Sequence, residues 1–396
     1  MDSSARKRIA LFALAAAVLA VAVMAAGCAK QQAGAPGEGD EPYVIGAIFS
    51  KTGDNSPLGE PEAQTAELLE TKINDAGGIN GHPIKIIIED DAGQETKTVP
   101  AAKKLVQSDK VLAIVGPTLS GTTLSIVEYM ERSEVPLVSC AASVKIVEPA
   151  DQRKWIFKTP QSDRHAVQRI GEFLKEKDVS QVAFINVANA FGDSGLAQAE
   201  AELPKMGFEI VAKEKFGTDD TDMTPQLTRI KASPAQALIC WGTNPGPARV
   251  MKNARQLGLK MHLIQSHGVA NKAFIELAGD AANGVVFPAG RLVVLNQLPE
   301  DDPQYDVLKE YTDLYTAQYN KPPNTFGGHA WDAITLLQDA LENVGADRAK
   351  IRDYIETRTG FVGTGGIFNF SATDHNGLGP DAFAMVEIED GEWVPL

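Results

Sequence analysis

The stretch VLAIVGPTLSGTTLSIVEYMERSEVPLVSCAAS (111–143) decides the fold. VLAIVG (111–116) is a near-continuous apolar run, SGTTLSIVEYMERS (120–133) has helical periodicity, and VPLVS (135–139) is apolar again. Unbroken apolar runs fit parallel strands covered on both faces. Strand, helix and strand at this spacing form a βαβ unit of an open, doubly wound sheet. The stretch ends in SCAAS (139–143), small residues with nucleophilic or hydrogen-bonding side chains. Two readings are open there: a catalytic elbow, or a cradle where N–H groups and a hydroxyl hold an anion.

The alternation extends both ways. Upstream, YVIGAIF (43–49) and IKIIIED (84–90) read as strands, EPEAQTAELLETKIND (60–75) and TVPAAKKLVQ (98–107) as helices. Downstream the pattern restarts at KWIFKTP (154–160). QVAFINV (181–187), FEIVAKEKF (208–216), QALICWG (236–242) and MHLIQS (261–266) then alternate with helices at 162–177, 191–206, 224–232, 246–257 and near 271–278. From Pro303 the chain is mostly helical (303–319, 325–343, 347–358) and closes with GGIFNF (365–370) and AFAMVEI (382–388). No long linker parts the halves, which fits lobes sharing crossovers better than independent domains.

The first residues are a leader rather than fold. Arg6-Lys7-Arg8, the apolar run 9–26 and Gly27-Cys28 form the n-region, h-region and exit of a secretory signal over 1–27. Ala25-Ala26-Gly27-Cys28 resembles a bacterial lipobox, although Ala25 stands where Leu is usual. Cys28 is then the lipidation site and 28–41 a Gly/Pro-rich tether. The alternative is an uncleaved membrane anchor. The formal charge of −15 argues against a nucleic-acid partner. Cys140 and Cys240 read as buried free thiols.

In open α/β sheets ligands bind beyond the carboxyl ends of the strands. GPTLSGTT (116–123) brings Ser120 to a helix N-terminus, and SCAAS brings Ser143. Helix N-termini favour anions, while the alternative is that both serines are N-caps. No G-x-S-x-G, HExxH or CxxC motif is present. The six histidines lack ligand spacing, so neither a metal nor any other cofactor is expected. GTGG (363–366) has no strand before it and fails as a nucleotide fingerprint.

NDAGGINGHPIKI (74–86), EDDAGQ (89–94), GPTLSGTT and VPLVSCAAS occur in this order at spacings similar to the Leu/Ile/Val-binding protein family. FGDSG (191–195), ARQLGL (254–259), GVAN (268–271) and GHAWDAITLL (328–337) continue the resemblance. These proteins are the extracytoplasmic substrate-binding components of ABC transporters. The resemblance implies two doubly wound lobes joined by three crossovers: 42–158 plus 289–364, and 159–288 plus 365–396. It implies a ligand-binding set in which Ser120 takes the ligand carboxylate and Ala141 and Ser143 contact the head group. Phe191 would close over the ligand, with Thr243, Phe326 and Leu58 at further cleft positions. It also implies a monomer, anchored by lipid, that serves membrane permease subunits.

At one position the chain departs from that pattern. Amino-acid-binding members carry an acid where this chain has His267. An enclosed ammonium deprived of its partner costs roughly 3–5 kcal/mol, as for any broken buried ion pair. That corresponds to about a thousandfold in affinity. A carboxylate ligand without an ammonium, an aromatic or short organic acid, therefore suits the site unless Asp193 or an acid of the 219–222 loop substitutes. Two other functions stay open: a sensing module of the same fold, and a Cys or Ser hydrolase built on SCAAS.

Overall fold

The computed structural model describes residues 41–396. The expected leader (1–27), the acylated Cys28 and all but the last residue of the tether lie outside the described residues. The first lobe is built from β1 (Tyr43–Phe49), α1 (Ser56–Asp75), β2 (Ile84–Asp90), α2 (Glu95–Gln107), β3 (Ile114–Val115), α3 (Ser120–Ser133), β4 (Leu137–Ser139) and β5 (Ile156–Lys158). Its five strands are parallel in the order β2-β1-β3-β4-β5. The apolar run 111–116 gives the ladder only Ile114–Val115. Val111 N is drawn to Leu105 O at 3.1 Å, and Gly116 at φ +89° turns the chain away. KWIFKTP closes this sheet rather than opening a new one, with Ser139 opposite Lys158.

The chain then crosses over. The second lobe holds α4 (Asp163–Glu176), β6 (Gln181–Val187), α5 (Ala190–Glu202), β7 (Glu209–Phe216), α6 (Thr224–Lys231), β8 (Ala237–Trp241), α7 (Gly246–Gln256), β9 (His262–Gln265), α8 (Lys272–Ala278) and β10 (Val286–Ala289). A second crossing leads back to α9 (Tyr305–Tyr319), α10 (Thr325–Val344), α11 (Arg348–Thr357) and the hairpin β11 (Phe361–Val362)–β12 (Ile367–Phe368). The third crossing adds β13 (Ala384–Glu389), antiparallel to β10, and β14 (Glu392–Pro395), antiparallel to β13, to a sheet ordered β14-β13-β10-β9-β8-β6-β7. Two lobes with parallel-dominated sheets and three crossings are the expected architecture.

The last expected boundary is corrected. Phe368, Phe370, Leu378 and Ala382 pack in the first lobe's core with Trp331 and Tyr311, so residues 365–382 stay in that lobe. The chain enters the second core only at Phe383 and Met385. The GTGG loop explains the delay. Thr364 N and Gly365 N donate to the fully buried Asp332 carboxylate at 2.6 and 2.7 Å. A Cβ on Gly363 would sit 2.7 Å from Asp332 Oδ1. The loop forms a nest of N–H groups around the protein's own Asp332 carboxyl, whose pKa burial raises to about 7 against the lowering effect of these two bonds. Cys140 and Cys240 are free and buried in separate cores.

Candidate functional site

A cavity of about 760 Å³ lies between the lobes, over the carboxyl ends of β1, β3 and β4 on one side and of β6, β7, β8 and β9 on the other. The first lobe lines it with Leu58, Thr118, Ser120, Ala141, Phe326 and His329. Ser120 opens α3, and Leu119 before it supplies no side-chain cap, so the helix end keeps its affinity for an anion. Gly116 makes the preceding turn possible. Its φ of +89° suits glycine, and a Cβ there would meet Ile48 O at 2.3 Å.

Ser143 is corrected. Its side chain is fully buried and does not line the cavity. Its N–H donates to Ser120 Oγ at 3.3 Å, and its hydroxyl donates to Ser194 Oγ at 2.7 Å in the other lobe. Ser194 in turn donates to Asp163 Oδ2. Ser143 also caps a short 3-10 helix by accepting from Lys145 N at 3.3 Å. It therefore joins the lobes beneath the cavity and backs Ser120.

The second lobe contributes Phe191, Thr243, Asn244, Asp219 and His267. His267 stands edge-on to Phe191 at 5.5 Å and Trp241 at 5.7 Å, with Phe383 at 5.4 Å. Both of its ring nitrogens are buried without a partner. Burial first, then the positive fields of Lys158, His329 and His165, lower its pKa to about 3. His329, facing the same cavity from α10, is likewise lowered to about 3 by burial and Lys158. The histidines are neutral at physiological pH. Beside them Lys158, fully buried, donates to Ala142 O at 3.1 Å and Pro160 O at 2.7 Å, and burial lowers its pKa to about 7.

Of the acids weighed from the sequence, Asp193 is not in the cavity wall and pairs with Lys215 at 2.6 Å. Asp219 is in the wall, as are Asp54 and Glu95. Thr118 and His329 were missed. His329 lies inside the quoted GHAWDAITLL, where helical periodicity marks a core face but no chemistry. Cys140 touches the cavity, but burial raises its thiol well above the usual range, the opposite of what a nucleophile needs. Among the described residues no group of three or more His, Cys, Asp or Glu is placed to hold a metal.

Two parallel-sheet lobes, three crossings and an inter-lobe cavity with a helix N-terminus in its wall define the architecture of a two-lobed ligand-binding protein. The chain belongs to the periplasmic binding protein family, whose model matches residues 42–392. It is 26% identical over 332 residues to the leucine-, isoleucine-, valine-, threonine- and alanine-binding protein of Pseudomonas aeruginosa, covering 81% of this chain and 86% of that one. An extracellular ligand-binding receptor from Rhodopseudomonas palustris HaA2 superposes with a TM-score of 0.84 at 27% identity, over 90% of this chain and 100% of that one. The branched-chain amino acid transporter substrate binding protein LivJ of Streptococcus pneumoniae, in complex with isoleucine, gives 0.77 at 25% identity, over 90% of this chain and 100% of that one. Family members are substrate-binding proteins and are extracytoplasmic.

Proposed function

We propose that this chain is the substrate-binding lipoprotein of an ABC transporter of the branched-chain amino acid type, anchored through Cys28, acting as a monomer and delivering a small carboxylate-bearing ligand to membrane permease subunits. The ligand's carboxylate meets Ser120 and the α3 N-terminus, and its apolar body lies against Leu58, Phe191 and Phe326. One observation carries the choice of ligand: His267, neutral and caged by aromatic rings, faces the cavity at the position where the family resemblance implies an acid. A neutral imidazole does not compensate an ammonium, so an aromatic or short branched acid suits the cleft better than a free amino acid. A second reading rests on Asp219, Glu95 and Asp54, which also line the cavity and supply charge for an ammonium.

Thermal shift with paired ligands separates the two. Saturating ligand stabilises by about 2.7 kcal/mol at 100 times Kd. The expected result is that 4-methylpentanoate, phenylacetate or benzoate raises the melting point more than leucine or phenylalanine does. Stabilisation by leucine alone moves the assignment to the second reading. Absence of any effect across the panel removes both.

A further inference from the structure

Thr118 lies on the loop between β3 and α3, 4% exposed, in the cavity wall. Its hydroxyl oxygen is occupied from behind. Ser50 N–H donates to Oγ1 at 3.0 Å, and Oγ1 shares a second hydrogen bond with Glu62 Oε2, in which the threonine hydroxyl is the donor to an ionised Glu62 and the acceptor from a neutral one. Glu62 sits on α1, fully buried, and its other oxygen, Oε1, has no partner. The titratable groups whose charge couples to it are Asp91, Cys140 and Tyr311, and none is a cation. Asp91 is itself engaged by Ser50 Oγ at 2.7 Å, Gly93 N at 2.8 Å and Thr98 Oγ1 at 3.1 Å.

An unpaired carboxylate enclosed in this way is costly, and burial holds the Glu62 carboxyl well above the usual range, in its neutral form. A neutral carboxyl has one O–H to place. On Oε1 it would be a buried donor with no acceptor. On Oε2 it donates to Thr118 and leaves Oε1 as a bare carbonyl oxygen, which is the milder of the two losses. Thr118 Oγ1 then accepts twice, from Ser50 and from Glu62. Its own hydrogen is left with the one remaining tetrahedral direction. Thr122, four residues on along the same wall, contrasts with it: its hydroxyl donates to Leu119 O at 3.0 Å and is not free.

We propose that Thr118 is a ligand-binding residue whose hydroxyl donates into the cleft to the ligand's carboxylate, because Glu62 and the Ser50 amide fill its acceptor positions from behind. Glu62 is the positioning residue. The proposal rests on the carboxylate-ligand reading above and adds a donor beside Ser120.

The test uses the full chain with benzoate, phenylacetate, 4-methylpentanoate and leucine as probes, and the variants Thr118→Val, Thr118→Ser and Glu62→Gln. Calorimetry is expected to show that Thr118→Val weakens the best-bound probe about tenfold or more, the usual range for a hydrogen bond to a charged group. Thr118→Ser, which keeps the hydroxyl, and Glu62→Gln, whose amide N–H replaces the O–H, stay within about threefold on the same scale. Difference infrared spectra between the wild type and Glu62→Gln at neutral pH should contain the C=O stretch of a protonated carboxyl. A folded Thr118→Val that binds as tightly as the wild type overturns the proposal, and so does an ionised carboxylate band for Glu62. If only leucine binds, the organic-acid reading fails, but leucine also has a carboxylate, so the Thr118 variants and the infrared band still decide this proposal.

Discussion

On the proposed reading, the buried imidazole of His267 bears on both ligand choice and acid sensitivity. His267→Asp restores an acid opposite the α3 N-terminus. It is expected to raise leucine affinity relative to 4-methylpentanoate by about 1.5–3 kcal/mol, roughly 10- to 100-fold, as measured by calorimetry with both ligands. No change in that ratio would mean that the head group does not reach His267. The same residue predicts a pH effect on stability. With a folded pKa of about 3, against about 6.5 when unfolded, the unfolded chain binds more protons between those values. Its contribution is therefore fully present above about pH 6.5 and is lost as pH falls through the window. His329 acts in the same direction. Urea unfolding is expected to show a free energy that declines from pH 6.5 to 4, with a shallower slope in His267→Phe. Equal slopes would place the proton uptake elsewhere.

At the level of elements, the loop 363–366 shows how a segment with little secondary structure is fixed. Asp332 on α10 accepts from two backbone N–H groups of that loop. Asp332→Ala leaves those donors buried without an acceptor and is expected to cost about 1–3 kcal/mol, read as a lower urea midpoint with an unchanged slope. A smaller loss would mean that water replaces the carboxylate. Why GTGG was opaque in the sequence follows from this: the nest and its carboxyl are 31 or more residues apart along the chain, and no local pattern joins them. Elements with long apolar runs or clean helical periodicity, such as β6, β8 and α10, were legible because their own side chains make the core. β10 was not, being four residues interrupted by Pro288, and it exists because β9 and β13 flank it. The cleft was legible in part. Ser120, Ala141, Phe191 and His267 line the cavity, whereas Ser143 leaves the strand path after Ser139 and turns inward as a cap. Glu62 is in helical register with Ala66, Leu69 and Ile73 on the buried face of α1, and was missed.

For the whole molecule, the correction at Ser143 becomes a statement about closure. Two contacts join the lobes beside the first crossing, Ser143 to Ser194 at 2.7 Å and Arg164 to Glu148 through two bonds at 2.8 and 2.7 Å, and within the second lobe Ser194 is held by Asp163. None of these side chains lines the cavity. On the proposed reading they act on binding by favouring the arrangement in which both walls face the ligand, and apparent affinity scales with the population of that arrangement. Ser143→Ala and Ser194→Ala remove the same hydrogen bond from opposite ends. Each is expected to weaken binding of the best probe by about 0.5–1.5 kcal/mol, and the double variant by clearly less than the sum of the two, because the residues share one interaction although Ser194 also loses its bond to Asp163 and Ser143 its bond from Lys145 N. Calorimetry on the four proteins of the cycle gives the coupling directly. If Ser143 touched the ligand, Ser143→Ala would cost clearly more than Ser194→Ala and the effects would approach additivity. A non-additive cycle, together with a radius of gyration that falls less on ligand addition in either variant than in the wild type, is the outcome that assigns Ser143 to closure and leaves ligand contact to Ser120 and its neighbours in the wall.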